Sequence, residues 1–307
     1  MSILVVGSVA LDTVTTPFGT VKDALGGSGV YFSIAASYFT PVSLVAVVGE
    51  DFPDRHVELL KRHHVDMSGL SRASGKTFRW TGEYTYDLNT AHTLDTQLNV
   101  FASFKPTLPV SYRESKYVFL ANIDPVLQRE VLRQVKDPKL VAADTMNFWI
   151  ESKRAELKKT LKYVHILVVN EAEARELAKE KNLIKAARVI SSWGPNTVVI
   201  KRGEYGALCV NRTRVFAAPA FPLEEIMDPT GAGDSFAGGF MGYMAWCGSS
   251  RDSDLRHAII FGSVMASFNV EGFSVDRLAH VSRKTINARF EQFRKLTQFD
   301  ALRLSGK

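Results

Sequence analysis

The chain is expected to fold as an α/β unit: a central, mostly parallel sheet with helices on both faces, plus a small extra β-sheet. Three observations predict this. Short apolar runs rich in β-branched residues recur along the chain, and they are continuous rather than alternating, as in strands buried on both faces. Helix-length segments separate them, and such alternation implies a parallel sheet covered on both sides. Two stretches break the rhythm with Thr, Tyr, Phe and Trp among turn residues.

The expected strands are residues 3–6, 42–48, 117–120, 140–142, 166–169 and 197–200. Helical candidates between them include 54–64, 125–135, 151–161 and 171–181. In parallel sheets of this kind, ligands bind beyond the C-terminal ends of the strands. Polar motifs follow several runs directly, at 7–12, 49–51, 144–147 and 170–173. The two irregular stretches, 12–25 and 76–104, read as hairpin material and are assigned to the small sheet. No low-complexity linker or internal repeat appears.

Of the 307 residues, 46% are hydrophobic and 23% charged, which suits a globular protein able to bury a large core without staples. Cys209 and Cys247 stand in apolar contexts and read as core residues, a usage that fits a reducing cytoplasm. No signal peptide is visible, and no run reaches the ~18 apolar residues that span a bilayer. The net charge of +6 invites a nucleic-acid reading. From Arg277 to Lys307, however, eight Lys/Arg face two Asp/Glu, so the tail accounts for the whole surplus. Ile286, Phe290 and Phe293 recur there at helical spacing, as in an amphipathic helix with a basic outer face. Neither nucleic acid nor a membrane is expected as a partner.

The segment 228–240 reads DPTGAGDSFAGGF. Phe236, Phe240, Tyr243 and Met244 are spaced as one helix face, so a helix begins near Gly233. The backbone N–H groups of Gly231, Ala232 and Gly233 would then point unpaired from its N-terminus, forming an anion site. Asp234 lies in the first turn, where the helix dipole favours its ionised form. Beside bound phosphate that charge makes sense as the acceptor of a proton from an attacking hydroxyl. The plain alternative is a helix start with a stabilising acidic residue.

This segment resembles the C-terminal signature of the PfkB/ribokinase family of sugar and nucleoside kinases. The resemblance implies that Asp234 is the general base and that Gly231, Ala232 and Gly233 form the anion hole. It continues along nearly the whole chain, which is expected to be one ribokinase-like domain over 1–307 with a discontinuous β lid from 12–25 and 76–104. Residues 7–12 (GSVALD) resemble the end of the family's first strand, whose Asp, here Asp12, binds substrate hydroxyls. Gly26 and Gly27, with Ser28, resemble its paired-glycine substrate motif; Tyr31 stands where the family usually carries a sugar-binding Asn. Asn170 and Glu173 (NEAE) resemble the Asn-x-x-Glu motif, where the Glu organises magnesium-bound water. Lys201, Gly203 and Gly206 (KRGEYG) resemble the turn that approaches ATP. Asp144 and Asn147 resemble a family Asp–Asn pair, with Trp149 in place of the Arg that often follows. Asp228 and the 269–274 stretch match the region that holds K⁺ in some members.

Other motifs fail on geometry. Gly75-Lys76-Thr77 lacks a P-loop's spacing and helix, the GAG turn lacks the third glycine of a dinucleotide fingerprint, and adjacent His63 and His64 splay apart on a helix rather than sharing zinc. The leading expectation is therefore transfer of the ATP γ-phosphoryl, with Mg²⁺, to a primary hydroxyl of a sugar or sugar-like polyol. A nucleoside kinase is the runner-up, and a non-catalytic sugar or nucleotide sensor the rival of another class. Trp80, Tyr84 and Tyr86 offer rings for a sugar face or a base. Only Lys76 and Arg79 are cationic in the 76–104 stretch, too few for a phosphorylated acceptor. The family's lids often pair, so a homodimer is expected.

Overall fold

The computed structural model describes residues 2–300. The described strands, in chain order, are β1 (Ile3–Val6), β2 (Ala10–Thr16), β3 (Gly19–Gly26), β4 (Val42–Gly49), β5 (Val65–Ala73), β6 (Phe78–Tyr84), β7 (Ala91–Gln97), β8 (Tyr117–Leu120), β9 (Leu140–Ala143), β10 (Ile166–Asn170), β11 (Thr197–Lys201), β12 (Ala207–Asn211) and β13 (Val215–Ala218). The described α-helices are α1 (Ser28–Ser37), α2 (Asp54–Arg62), α3 (Pro125–Gln134), α4 (Asn147–Ser152), α5 (Arg154–Leu161), α6 (Glu171–Ala178), α7 (Leu183–Ser191), α8 (Ala232–Cys247), α9 (Asp252–Asn269) and α10 (Arg283–Thr297).

The main sheet runs in the order β13-β12-β11-β10-β9-β8-β1-β4-β5. It is parallel from β5 to β11, and β12 and β13 continue it antiparallel. β1 shows why the strands are uniformly apolar. Ile3 and Val5 join one core with residues of α1, α8 and α9, while Leu4 and Val6 join the other with residues of α3, α5, α6 and α7. A strand in that position can afford no polar side chain on either face. Phe32 of α1 stacks on Phe119 of β8 with ring centroids 4.3 Å apart. Truncating either ring to Ala would cost about 3–5 kcal/mol through the cavity left behind.

The second sheet has the order β3-β2-β6-β7. It takes its strands from the two irregular stretches, with β2 and β6 parallel and both outer pairs antiparallel. β2 leaves the C-terminal end of β1 after three residues, and β3 returns directly into α1. Asp51 fixes the start of β6: its Oδ1 accepts from Thr77 N and Thr77 Oγ1, both at 2.7 Å. Gly75-Lys76-Thr77 thus leads into a strand, not a helix.

Three elements differ from expectation. The helix over 151–161 is two helices, because Lys153 leaves the helical region (φ −133°, ψ 32°) and reaches Asp124 Oδ2 at 2.5 Å. β5 was not foreseen; it is a polar edge strand with little apolar signal. The β12–β13 hairpin also escaped notice, since its outer strand is mostly exposed. The basic tail does form an amphipathic helix, α10, with Ile286 and Phe293 buried; its last residues, 301–307, lie outside the described residues. No described helix is long and apolar enough to cross a membrane.

Candidate active site

The site is built where β1, β9, β10 and β11 end and where α1 and α8 begin. Asp12 of β2 is 5% exposed, and its Oδ1 is buried with no hydrogen-bond partner. Burial pushes its carboxyl up to about 7; the Gly27 amide opposes this, and the charges of Asp228 and Asp234 add to it. Its Oδ2 lies against Gly26, where a Cβ would come within 1.9 Å. Gly27 caps α1 at φ 94°, and a Cβ there would lie 2.5 Å from the Ser8 carbonyl, so only glycine lets the chain turn this tightly. The Ser28 hydroxyl is engaged with Ser8, 3.1 Å between the two Oγ atoms, and so locks α1 to the end of β1. Tyr31, one turn further, is buried with its ring against Gly231, and burial together with Asp12 and Asp228 pushes its phenol well above the usual value.

Opposite stands the N-terminus of α8. Asp228 is fully buried; its Oδ1 accepts from Thr230 N (2.8 Å) and its Oδ2 from Ser274 N (3.1 Å). Asn269 of α9 holds the same turn, donating to the Thr230 carbonyl at 2.7 Å and accepting from Ser235 Oγ at 3.0 Å. Gly231 adopts φ 75° as N-cap. The expectation of three free amides needs one correction. Ala232 N donates to the Pro229 carbonyl at 3.1 Å, closing the turn, whereas no backbone acceptor is seen for Gly231 N or Gly233 N among the described residues. Asp234 also departs from the dipole argument: burial, reinforced by the Asp144 charge and opposed by Lys201, raises its carboxyl to about 7. Desolvation outweighs the helix dipole here.

Between these two walls lies a charged cluster. Lys201, at the end of β11, places Nζ 3.3 Å from Asp144 Oδ2, beyond β9. Burial would depress its ammonium, but the charges of Asp144, Glu173 and Asp234 prevail and hold it above the ordinary lysine value. A Cβ on Gly233 would sit 2.7 Å from Lys201 Nζ, so the bare Gly233 backbone and the ammonium face one shared volume. Asn170 and Glu173 form a capping box on α6: Asn170 Oδ1 accepts from Glu173 N (2.8 Å), and Glu173 Oε2 accepts from Asn170 N (2.7 Å). Burial and the Asp144 charge raise Glu173 to about 8, against the pull of Lys201. Gly203 and Gly206 bound a tight turn after β11, closed by Arg202 N donating to the Gly206 carbonyl at 2.8 Å.

The second sheet faces this cluster. Tyr84 of β6 lies 3.3 Å from Thr230 Oγ1 through its hydroxyl, and Asn89 at the β6–β7 turn reaches Glu204 at 3.4 Å. Trp80 pairs in register with Asp12, so both side chains project from the same face. Tyr86 departs from expectation: it lies beyond β6 in the turn and is 87% exposed. Arg79 is engaged by Asp51 at 3.0 Å and by Asp23.

Comparison with known proteins fits this arrangement. A model described as pfkB family carbohydrate kinase matches residues 2–279. The chain belongs to the PfkB family. Such enzymes are phosphotransferases acting on hydroxyl groups, and they use ATP with a divalent metal. This PfkB kinase is 30% identical to the cytidine kinase of Thermococcus kodakarensis over 269 residues, covering 85% of this chain and 93% of that one. It is 24% identical to inositol 3-kinase of Oryza sativa, over 91% and 72% of the two chains. Its ribokinase-like fold superposes on Burkholderia thailandensis nucleoside kinase in complex with inosine with a TM-score of 0.80 at 17% identity, covering 94% and 97%.

The PfkB chain brings its sequence-identified residues into two groups. Asp12, Gly26, Gly27, Tyr31 and Asp228 line the side nearer the second sheet, and Asp234 with Gly231–Gly233 sits between them and Lys201, Glu173 and Asn170. Gly203 lies farther out, under Asn89. Sequence reasoning missed the Asp144–Lys201 pairing and the roles of Ser8 and Asn269. The positions of Asp144 and Lys201 at strand ends were the available signal; that they meet depends on β9 and β11 flanking β10.

The residues fit a nucleotide and a divalent ion. An ammonium and free amides converge where phosphate would lie, and a bound cation would favour the ionised form of three nearby carboxyls, Asp144, Glu173 and Asp234, that burial now pushes up. Among the described residues no three His, Cys, Asp or Glu side chains form a metal cage. Magnesium fits such a site through phosphate oxygens and water, with few direct protein ligands.

Proposed function

We propose that this PfkB kinase phosphorylates the primary hydroxyl of a nucleoside. The observation that carries the reading is the pairing of Asp12 with Trp80 on one face of the second sheet. Asp12 offers an unpartnered buried oxygen to ribose hydroxyls, and the Trp80 indole on the same face, lying over Gly82 and donating to Thr93 Oγ1 at 3.1 Å, offers a stacking surface for a base. Similarity to a cytidine kinase across most of both chains supports the same reading. Arg79, already neutralised by Asp23 and Asp51, leaves little positive charge for a phosphorylated acceptor. A sugar or sugar-like polyol, placed first on sequence, becomes the second reading; likeness to an inositol 3-kinase favours it.

In this reading Asp234 takes the proton as the acceptor hydroxyl attacks. Gly231 and Gly233 amides and the Lys201 ammonium stabilise the transferring charge, where positioning and electrostatics do most of the work. When bound, the magnesium–ATP complex supplies the phosphoryl group with its charge partly neutralised. Glu173 orients water around that ion, and Gly203 and Gly206 keep the turn beside the nucleotide slim. Asp228 and the 269–274 stretch are assigned a K⁺ requirement; equal rates with and without K⁺ in Na⁺-free buffer would remove it. The second sheet acts as a lid that excludes water and as the surface through which two copies pair.

The test is a coupled assay of ADP release with cytidine, adenosine, ribose, fructose, inositol and fructose 6-phosphate side by side. A nucleoside should give the highest kcat/KM. A higher value for any free sugar or polyol would promote the second reading, and a higher value for fructose 6-phosphate would defeat both.

A further inference from the structure

At the far ends of the two helices that carry the candidate active site lies a second, two-part cleft. α1 carries Ser28 and Tyr31 in its first turn and ends at Ser37; α8 carries Asp234 in its first turn and Tyr243 and Trp246 near its end. At 1.5 Å per residue, Asp234 and Trp246 are about 18 Å apart along α8. One part of the cleft is a cavity of about 560 Å³ whose lining includes Arg62, His63, His64, His280 and Arg283. The other part, about 230 Å³, is lined by rings that include Phe39, Tyr243, Trp246 and Phe261. The two parts share Tyr38 and Arg283 as common walls.

The chemistry of the halves is complementary. No carboxylate lines the cationic half among the described residues; Glu58 pairs with Lys61 instead. Neither Arg62 nor Arg283 has an ion-pair partner among the described residues. The first turn of α10 carries Arg283 and Lys284 and no acidic residue, the reverse of what its dipole favours, so an anion there would relieve two unfavourable arrangements at once. His63 is structural: its ring bridges Ser37 Oγ (3.3 Å) and the Ala279 carbonyl (3.1 Å). Burial holds it below the usual imidazole value, and the charges of His280, Arg62 and His64 add to this. In the aromatic half Trp246 is 66% exposed, with Tyr243 5.6 Å away between ring centroids. A large exposed indole beside a cationic pocket is suited to a flat ring joined to a charged tail.

We propose that this cleft is a second nucleotide-binding site, distinct from the catalytic one, with the phosphates held by Arg62, His280 and Arg283 and the base laid against Trp246. The two parts together fall in the range of about 300–1,000 Å³ typical of small-molecule sites. Because α1 and α8 each join this cleft to the catalytic cluster, occupancy bears directly on the helices that hold Tyr31 and Asp234.

The test is calorimetric titration of the full chain with ATP and, separately, with inorganic tripolyphosphate. Wild type should bind two equivalents of ATP, and the double variant Arg62→Ala/Arg283→Ala one. Trp246→Ala should weaken ATP at this site about tenfold or more while leaving tripolyphosphate unchanged, because only the base is stacked. Lys201→Met should weaken the other equivalent alone, which keeps failure of this site apart from failure of the catalytic reading. A single equivalent of ATP in wild type, unchanged in Arg62→Ala/Arg283→Ala, or two equivalents in that variant, would overturn the site. Equal affinity of ATP and tripolyphosphate with no effect of Trp246→Ala would overturn its assignment to nucleotides.

Discussion

Replacing Lys201 with Met should shift the pH dependence of turnover as well as its size. Met nearly preserves the length of the side chain and removes the charge that opposes Asp144, Glu173 and Asp234. At the 3.3 Å between Nζ and Asp144 Oδ2, with an effective dielectric of about 20, the lost attraction is about 5 kcal/mol. Asp144 recovers much of that by taking a proton. Asp234 keeps its burial and loses its one opposing cation, but protonation of Asp144 also removes the charge that raised it more strongly, so its carboxyl falls below about 7. The rate limb governed by the base should therefore move to lower pH. Losing a preorganised charge at the transferring phosphate should separately lower kcat by about 10²–10³-fold. The assay is kcat from pH 5.5 to 9 at saturating ATP, for wild type and variant. An unmoved midpoint together with a kcat within threefold of wild type would reduce Lys201 to a packing residue.

Asp234→Asn should cut kcat by about 10²–10⁴-fold and leave the ATP dissociation constant within a few-fold, as read by stopped-flow rates and calorimetry. Glu173→Gln should raise the Mg²⁺ concentration needed for half-maximal rate more than it raises acceptor KM; an unchanged Mg²⁺ titration would leave Glu173 as a helix cap alone. The ligand-free protein should lose stability as pH rises. Asp12 and Asp234 have ordinary values of 3.8 and folded values of about 7, and Glu173 moves from 4.5 to about 8, so the folded state binds more protons than the unfolded state. Their favourable contribution is complete below about 4 and is lost as pH climbs through 7 to 8. Melting temperature should fall between pH 5.5 and 8.5, and a rise over that range would contradict the burial of these groups.

The parallel sheet was legible because its inner strands are apolar on both faces, and the signature at 228–240 announced α8 and the residues at its N-terminus. The edges were not legible. β5 and β13 mix exposed and half-buried residues with one buried residue each, so they carry little burial signal. Lys153 looks like any helical lysine until Asp124 is seen opposite it. Within the site, Asp12 and Lys201 could be named from sequence, but their electrostatic state could not. Asp234 is the clearest case: its local position predicts an easily ionised carboxyl, while desolvation in the assembled site and the Asp144 charge brought in from beyond β9 reverse the direction. Ala232 is a smaller one, since only the fold of the turn reveals that its amide is occupied by Pro229.

The order of strands in the main sheet also sets a schedule for the chain as it is made. β1 precedes the other described strands in the chain, yet it lies between β4 and β8. It gains one neighbour only when residue 49 has been made and the other only at residue 120. The β1–β8 register joins Ile3 to Tyr117, a closure over more than a hundred residues that native contacts must repay. α8, which carries Asp234 and covers the face of the sheet that α1 shares, follows more than a hundred residues after β8. Until it arrives, Val5, Phe32 and Phe119 have lost water on one side and gained no full apolar wall on the other. An incomplete chain ending before α8 therefore exposes a broad apolar face, a surface for chaperones to hold and for like fragments to aggregate through.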